Sequence, residues 1–209
     1  MENETAAFPS LGTLAGAPQV WRFDLDAAAA FDREDWLDAV ELAHARRLHD
    51  ALARRRYIRS HALARHLLAQ RLGIAPDAVV IERTARGKPF VAGVTFDFSL
   101  SHSKNIFLFG LHHGGTLGVD VEIIRDDFDV LPVAEDCLSP AEYASLHATP
   151  AAEQRRLFHR LWANHEARAK ATGRGMTDVA LDAEREWSYL HAEISVADQS
   201  VAVAVVWKN

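Results

Sequence analysis

Two acids one residue apart, Asp120 and Glu122 in Gly118-Val119-Asp120-Val121-Glu122, are the first residues here whose types and spacing could do chemistry. Alternation with Val119, Val121 and Ile123 reads as a strand, which places both carboxylates on one face and the apolar residues on the other. Same-face neighbours on a strand sit roughly 6.5–7 Å apart, so two bare carboxylates there repel. A hard divalent cation bridging them, completed by water and a substrate phosphate, would account for the pair. A solvated strand face is the plainer alternative.

A second pair, Glu166 and Lys170, has the four-residue spacing of neighbours on one side of a helix. Such pairs are usually surface salt bridges worth tenths of a kcal/mol. Here the pair borders an apolar stripe of Phe158, Leu161, Trp162, His165 and Ala169. Glu166 lies about 40° around the axis from Trp162, so partial burial, and use as a base or metal ligand, becomes open to it. A third constellation is Phe98-Ser99-Leu100-Ser101-His102-Ser103. Ser101 and His102 point to opposite faces of a strand, and no Gly-x-Ser-x-Gly elbow is present, so a hydrolase triad with Asp120 is set aside. A Ser/His/Ser strand end suits hydrogen bonds to phosphate oxygens better. Finally, Arg46, Arg47, Arg54, Arg55, Arg56, Arg59 and Arg65 face one acid, Asp50, between His44 and Arg65. That local positive field suits a phosphate-rich ligand or an acidic partner, or is simply a solvated helix face.

The elements that must position these groups follow from periodicity and punctuation. Residues 1–18 read as a loose lead-in and Val20 to Leu25 as a strand. Arg33 to Leu72, free of proline and glycine, predicts two or more helices, the last over about 55–72 and ending at Gly73. Val79 to Arg83, Thr95 to Leu100, Ile106 to Leu111 and 116–123 read as strands, with a turn at Gly87-Lys88-Pro89 and a tight hairpin at Gly114-Gly115. Ser139-Pro140-Ala141-Glu142 is a capping box with proline at the first helical position. Thr149-Pro150 starts a helix that stops at Gly173, and Glu186–Val196 and Ser200–Trp207 alternate as two closing strands. The expectation is an α+β fold of two similar halves, 1–115 and 116–209, each with helices on a small, mostly antiparallel sheet and the second carrying the acids.

At 209 residues, half of them apolar, the chain can bury a sizeable core. Its single cysteine, Cys137, excludes an internal disulfide and fits a reducing compartment. The acidic start and the lack of long apolar runs predict no secretory signal and no membrane span, hence a cytoplasmic protein. A net charge of −6 argues against a general nucleic-acid binder.

Gly87-Lys88-Pro89, Phe98 through Ser101-His102-Ser103, Gly118 to Glu122, Trp162 to Glu166 with Lys170, and Gly173-Arg174-Gly175 occur in the order and spacing of one known family. The sequence resembles the 4′-phosphopantetheinyl transferase superfamily, of the surfactin-synthetase-activator type. The resemblance implies a pseudo-symmetric α+β monomer with coenzyme A and Mg²⁺ (Mn²⁺ as a substitute) in the cleft between its halves. It implies transfer of the phosphopantetheine arm to a serine of an acyl or peptidyl carrier protein, with release of adenosine 3′,5′-bisphosphate. By the same resemblance Asp120, Glu122 and Glu166 hold the metal, and Glu166 takes the proton of the carrier serine. Lys170 and His102 meet the phosphates with Ser101, and Gly87, Lys88 and Pro89 line the nucleotide pocket. Lys88 and Arg56 are the candidates for the 3′-phosphate. His165 stands where the family has lysine, and enters as a weaker or pH-dependent coenzyme A contact. Two other readings stay open: a non-catalytic homologue that binds coenzyme A or the carrier, and another Mg²⁺-dependent phosphotransfer or phosphohydrolase enzyme.

Overall fold

The computed structural model describes residues 6–7, 16–173, 187–196 and 199–208. The sequence readings at Gly175, at the Ala197-Asp198 turn and over most of the lead-in lie outside these residues. In chain order the elements are β1 (Ala6–Ala7), β2 (Gln19–Asp24), α1 (Ala39–Arg47), α2 (Ala51–Leu72), β3 (Glu82–Arg83), β4 (Pro89–Phe90), β5 (Phe96–Ser103), β6 (Ile106–His113) and β7 (Thr116–Ile123). They continue with α3 (Val130–Cys137), α4 (Pro140–Ala148), α5 (Ala151–Thr172), β8 (Ser188–Val196) and β9 (Gln199–Lys208).

Local chemistry sets the helix ends. Asp38 and Glu41 form a capping box at α1, Ser139 and Glu142 another at α4, and Asp50 caps α2. Gly73 and Gly173 end α2 and α5 in the left-handed conformation, at φ 70° and 64°, where a side chain is strained. Antiparallel strands form one sheet in the order β1-β2-β6-β5 and another in the order β7-β9-β8. The α+β expectation holds.

Side-chain alternation assigns each sheet two covered faces. Phe107, Phe109 and Leu111 of β6 pack with Leu63, Ala64 and Leu68 of α2. The alternate residues Ile106 and Leu108 meet Leu117, Val119, Val121 and Ile123 of β7 and Val201, Val203 and Val205 of β9. The other face of β9, Ala202, Ala204 and Val206, takes Ala163 and Ala167 of α5. The layers therefore run α2, first sheet, second sheet, α5. Double coverage explains why β6 and β9 read as almost unbroken apolar runs. No helix among the described residues is long and apolar enough to cross a membrane.

Two expectations need correction, and one helix was not expected at all. Gly114-Gly115 does not make a hairpin: β6 pairs with β2 and β5, while the chain crosses to the second sheet and pairs β7 with β9. Gly110 is bare so that Val119 and Leu117 can lie over it, where an added Cβ would stand 2.7 Å from Val119 Cγ1. Val79 to Ile81 is not strand, because the Val79 carbonyl accepts from buried Arg65 at 2.7 Å instead of from a sheet neighbour. Helix α3, whose Asp129 side chain accepts from Leu131 N–H at its start, has no counterpart among the sequence expectations.

Candidate active site where α5 crosses β7

Helix α5 lies directly on β7 where its alanines Ala167 and Ala171 meet Gly118. An added Cβ on Gly118 would stand 1.8 Å from the Ala167 carbonyl oxygen and 2.7 Å from the Ala171 nitrogen. Glycine is required there by close approach, not by a turn. The apolar stripe expected on α5 is thus only one of its buried faces: Phe158 packs with α3 and α4, and the opposite alanines pack on the sheet. Glu166 and Lys170, either side of Ala167, are thereby set against the face of β7 that carries Asp120 and Glu122.

Asp120 is 2% exposed. Its Oδ1 accepts from Lys170 Nζ at 2.6 Å and from Ser101 Oγ at 2.8 Å, and Lys170 also donates to Ser101 Oγ at 2.9 Å. Its Oδ2 is buried with no hydrogen-bond partner among the described residues. Burial first, then the charge of Asp120 and that of Glu166, push Glu122 up to about 7 despite a hydrogen bond from Trp162 and the pull of Lys170. Burial likewise raises Glu166, which Lys170 pulls down and Asp120 pushes up. Negative charge here exceeds what Lys170 offsets.

That excess, the orphaned Oδ2 and an all-oxygen donor set are what a hard divalent cation satisfies. In this conformation Lys170 occupies Oδ1 of Asp120. Among the described residues no three His, Cys, Asp or Glu side chains are gathered in ligating positions.

Ser101 belongs to a polar comb. Strands β5 and β7 are edge strands of different sheets, and side chains of β5 bond backbone N–H groups of β7: Leu117 to Asp97 Oδ2 at 2.8 Å, Val119 to Ser99 at 3.1 Å and Ile123 to Ser103 at 3.3 Å. Ser101 leaves that series and turns to Asp120. His102 points the other way and is exposed, its ring pKa lowered by desolvation and then by Lys170 and Arg56. It therefore lies within electrostatic reach of the site.

A cleft of about 330 Å³ adjoins the site. Its walls are Glu41, His61 and Ala64 from α1 and α2, Ile81, Arg83 and Arg86 to Pro89 around the turn, Phe98 to Leu100 of β5, and Ala169, Lys170 and Gly173 at the end of α5. Gly87, Lys88, Pro89 and Lys170 thus line one cleft. The Lys88 amine, however, is spent on structure, donating to Asp97 at 2.5 Å and to the Ala171 carbonyl at 2.9 Å. Arg56 is held in a two-bond pair with Asp26, and Arg59 and Arg65 are likewise tied to Asp32 and Glu41. His165 is buried and its Nε2 donates to Glu142 of α4 at 2.8 Å, away from the cleft walls. Sequence reasoning missed Arg83, Arg86, His61 and Glu41. For the two arginines the signal was their position beside Gly87-Lys88; the other two gave none.

A family model described as the 4′-phosphopantetheinyl transferase superfamily matches residues 116–206. The 4′-phosphopantetheinyl transferase HetI of Nostoc sp. is 32% identical over 177 residues, 82% of this chain and 75% of that protein. The chain belongs to this superfamily. The 4′-phosphopantetheinyl transferase psf-1 of Bacillus pumilus is 32% identical over 65% of this chain and 57% of its own length. AcpT of Salmonella typhimurium is 34% identical over 52% and 56%. The superfamily match covers β7, α5 and both closing strands, so it includes every carboxylate of the site.

Proposed function

We propose that this superfamily member transfers the 4′-phosphopantetheine arm of coenzyme A to a serine hydroxyl of an acyl or peptidyl carrier protein, releasing adenosine 3′,5′-bisphosphate. The observation that carries this reading is that Asp120 and Glu122 of β7 face Glu166 and Lys170 of α5 closely enough for their charges to act on one another, beside a cleft lined by Arg83, Arg86 and Lys170. Asp120, through its free Oδ2, Glu122 and Glu166 would hold Mg²⁺, which when bound supplies positive charge to the diphosphate. The chain's own residues do the rest. Glu166, its basicity raised by burial, accepts the serine proton as the serine oxygen attacks phosphorus. Lys170 offsets charge on the phosphate oxygens as the old P–O bond breaks. Ser101 holds Lys170 and Asp120 in register, and exposed His102 donates to a phosphate oxygen. Arg83 and Arg86 add positive charge around the nucleotide.

A non-catalytic homologue was suggested only by His165. Its bond to Glu142 gives that histidine a packing role between α4 and α5, which leaves nothing to favour that alternative. Incubation with apo carrier protein, coenzyme A and Mg²⁺ tests the reading. A mass gain of one phosphopantetheine arm on the carrier serine is expected; binding without transfer, or phosphate release without a carrier, would overturn it.

A further inference from the structure

One wall of the cleft carries two hydrogen-bond acceptors that the transfer step does not use, His61 and Glu41. His61 Nδ1 lies 2.9 Å from the Tyr57 carbonyl oxygen, one turn back on α2, and 3.3 Å from Ser60 Oγ. A carbonyl only accepts, so Nδ1 carries the proton and, in the neutral ring, Nε2 presents a lone pair. Burial, the largest influence, holds this ring below its ordinary pKa and keeps it neutral. The Tyr57 ring, centred 3.9 Å away, fixes its orientation. Glu41 is 5% exposed, and both its hydrogen bonds fall on Oε2, from the Asp38 backbone N–H at 3.0 Å and from Arg65 Nε at 2.8 Å. Oε1 is left as an acceptor. Beside this pair the cleft is apolar, with Ile81, Phe98 and Leu100.

Two acceptors at the margin of an apolar slot call for a planar group with hydrogens to give. An exocyclic amine on an aromatic ring has two; a ring carbonyl in its place would set lone pair against lone pair. We propose that His61 Nε2 and Glu41 Oε1 read the exocyclic amino group of the coenzyme's nucleobase, making this chain selective for an amino purine over a keto purine. The inference rests on the transferase reading and adds the residues that recognise the base.

The test is titration calorimetry of the full chain with adenosine 3′,5′-bisphosphate and with inosine 3′,5′-bisphosphate, alongside transfer from coenzyme A. The adenine nucleotide is expected to bind on the order of 10–100-fold more tightly. In His61→Phe, which keeps an aromatic ring against Tyr57 but removes the acceptor, that preference should fall below about 3-fold, the adenine nucleotide losing an acceptor and the inosine nucleotide losing an opposed lone pair. Glu41→Gln should narrow it as well, by placing a donor in the amide. Equal binding of both nucleotides by the wild-type chain overturns the inference without reference to any variant, as does full preference in folded His61→Phe. A chain that transfers from coenzyme A but does not discriminate overturns this inference alone. One that neither transfers nor binds either nucleotide overturns the transferase reading with it.

Discussion

Gly118→Ala is the substitution whose outcome is set most directly by the geometry. An apolar carbon needs about 3.3 Å from a carbonyl oxygen, and the new Cβ would stand 1.8 Å from Ala167 O, a shortfall of about 1.5 Å. The obstacle is main chain on both sides, so no rotamer change relieves it, and α5 must lift from β7. Overpacking of this kind costs about 3 kcal/mol, which for a chain of this size lowers Tm by about 6–12 °C. Glu166 and Lys170 ride on the same turn as Ala167, so they retreat from Asp120 and Glu122 with it. A displacement of about 1 Å costs on the order of 10²-fold in rate, and kcat/KM for arm transfer should fall at least that far. Thermal denaturation followed by circular dichroism, with mass-detected transfer on the folded variant, measures both. Adding Ala167→Gly should not rescue, because the clashing oxygen belongs to the backbone. A Gly118→Ala protein with Tm within about 2 °C of the parent and normal turnover would refute the claim that helix contact positions the site.

Three further outcomes follow from other contacts. Glu166→Gln should reduce transfer by more than about 10²-fold while the coenzyme A Kd, measured by calorimetry, stays within about 3-fold; normal turnover would remove Glu166 from the proton-accepting role. Lys88→Met should cost about 3 kcal/mol by leaving Asp97, its side chain 15% exposed, without its cation, and Asp97→Asn in that background should recover part of the loss; a denaturant midpoint equal to the parent's would refute the tie. Glu142 is raised by burial but held at about 2 by bonds from His165 and Ser139. Being lower folded than unfolded, it contributes stability that is complete above about pH 4.5 and is lost as pH falls toward about 2. Glu142→Gln should therefore flatten the dependence of unfolding free energy on pH between about 5 and 3, and unchanged slopes would exclude the pairing.

Much of this architecture was legible because its signals are local. Ser139 and Glu142 announce α4 by a reciprocal cap, and Gly173 ends α5 because few other residues tolerate its backbone angles. The alternation around Asp120 fixed which face of β7 the acids take, and four-residue spacing put Glu166 and Lys170 on one side of α5. Less visible were decisions made by distant partners. Arg56, Arg59 and Arg65 look in sequence like Arg54 and Arg55, yet the first three are committed to Asp26, Asp32 and Glu41. Gly114-Gly115 carries the composition of a hairpin, but the chain's apolar faces are better covered when β7 joins β9 than when it folds back on β6. The acceptor wall of the cleft gave no warning either, because Glu41 and His61 lie on different helices and only the packing of α1 on α2 sets them against one cleft.

The comb between β5 and β7 has a consequence for how this protein can change. In an ordinary ladder every rung is peptide, and no substitution short of proline edits one. Here the rungs are Asp97, Ser99 and Ser103, each encoded separately, and the fourth tooth, Ser101, is the one diverted to Asp120. The alignment of the two sheets, and with it the distance between the cleft and the acids, is therefore written in side chains and can be revised one codon at a time. Lengthening or deleting a single tooth reshapes the seam while the hydrogen-bonded interior of each sheet stays intact.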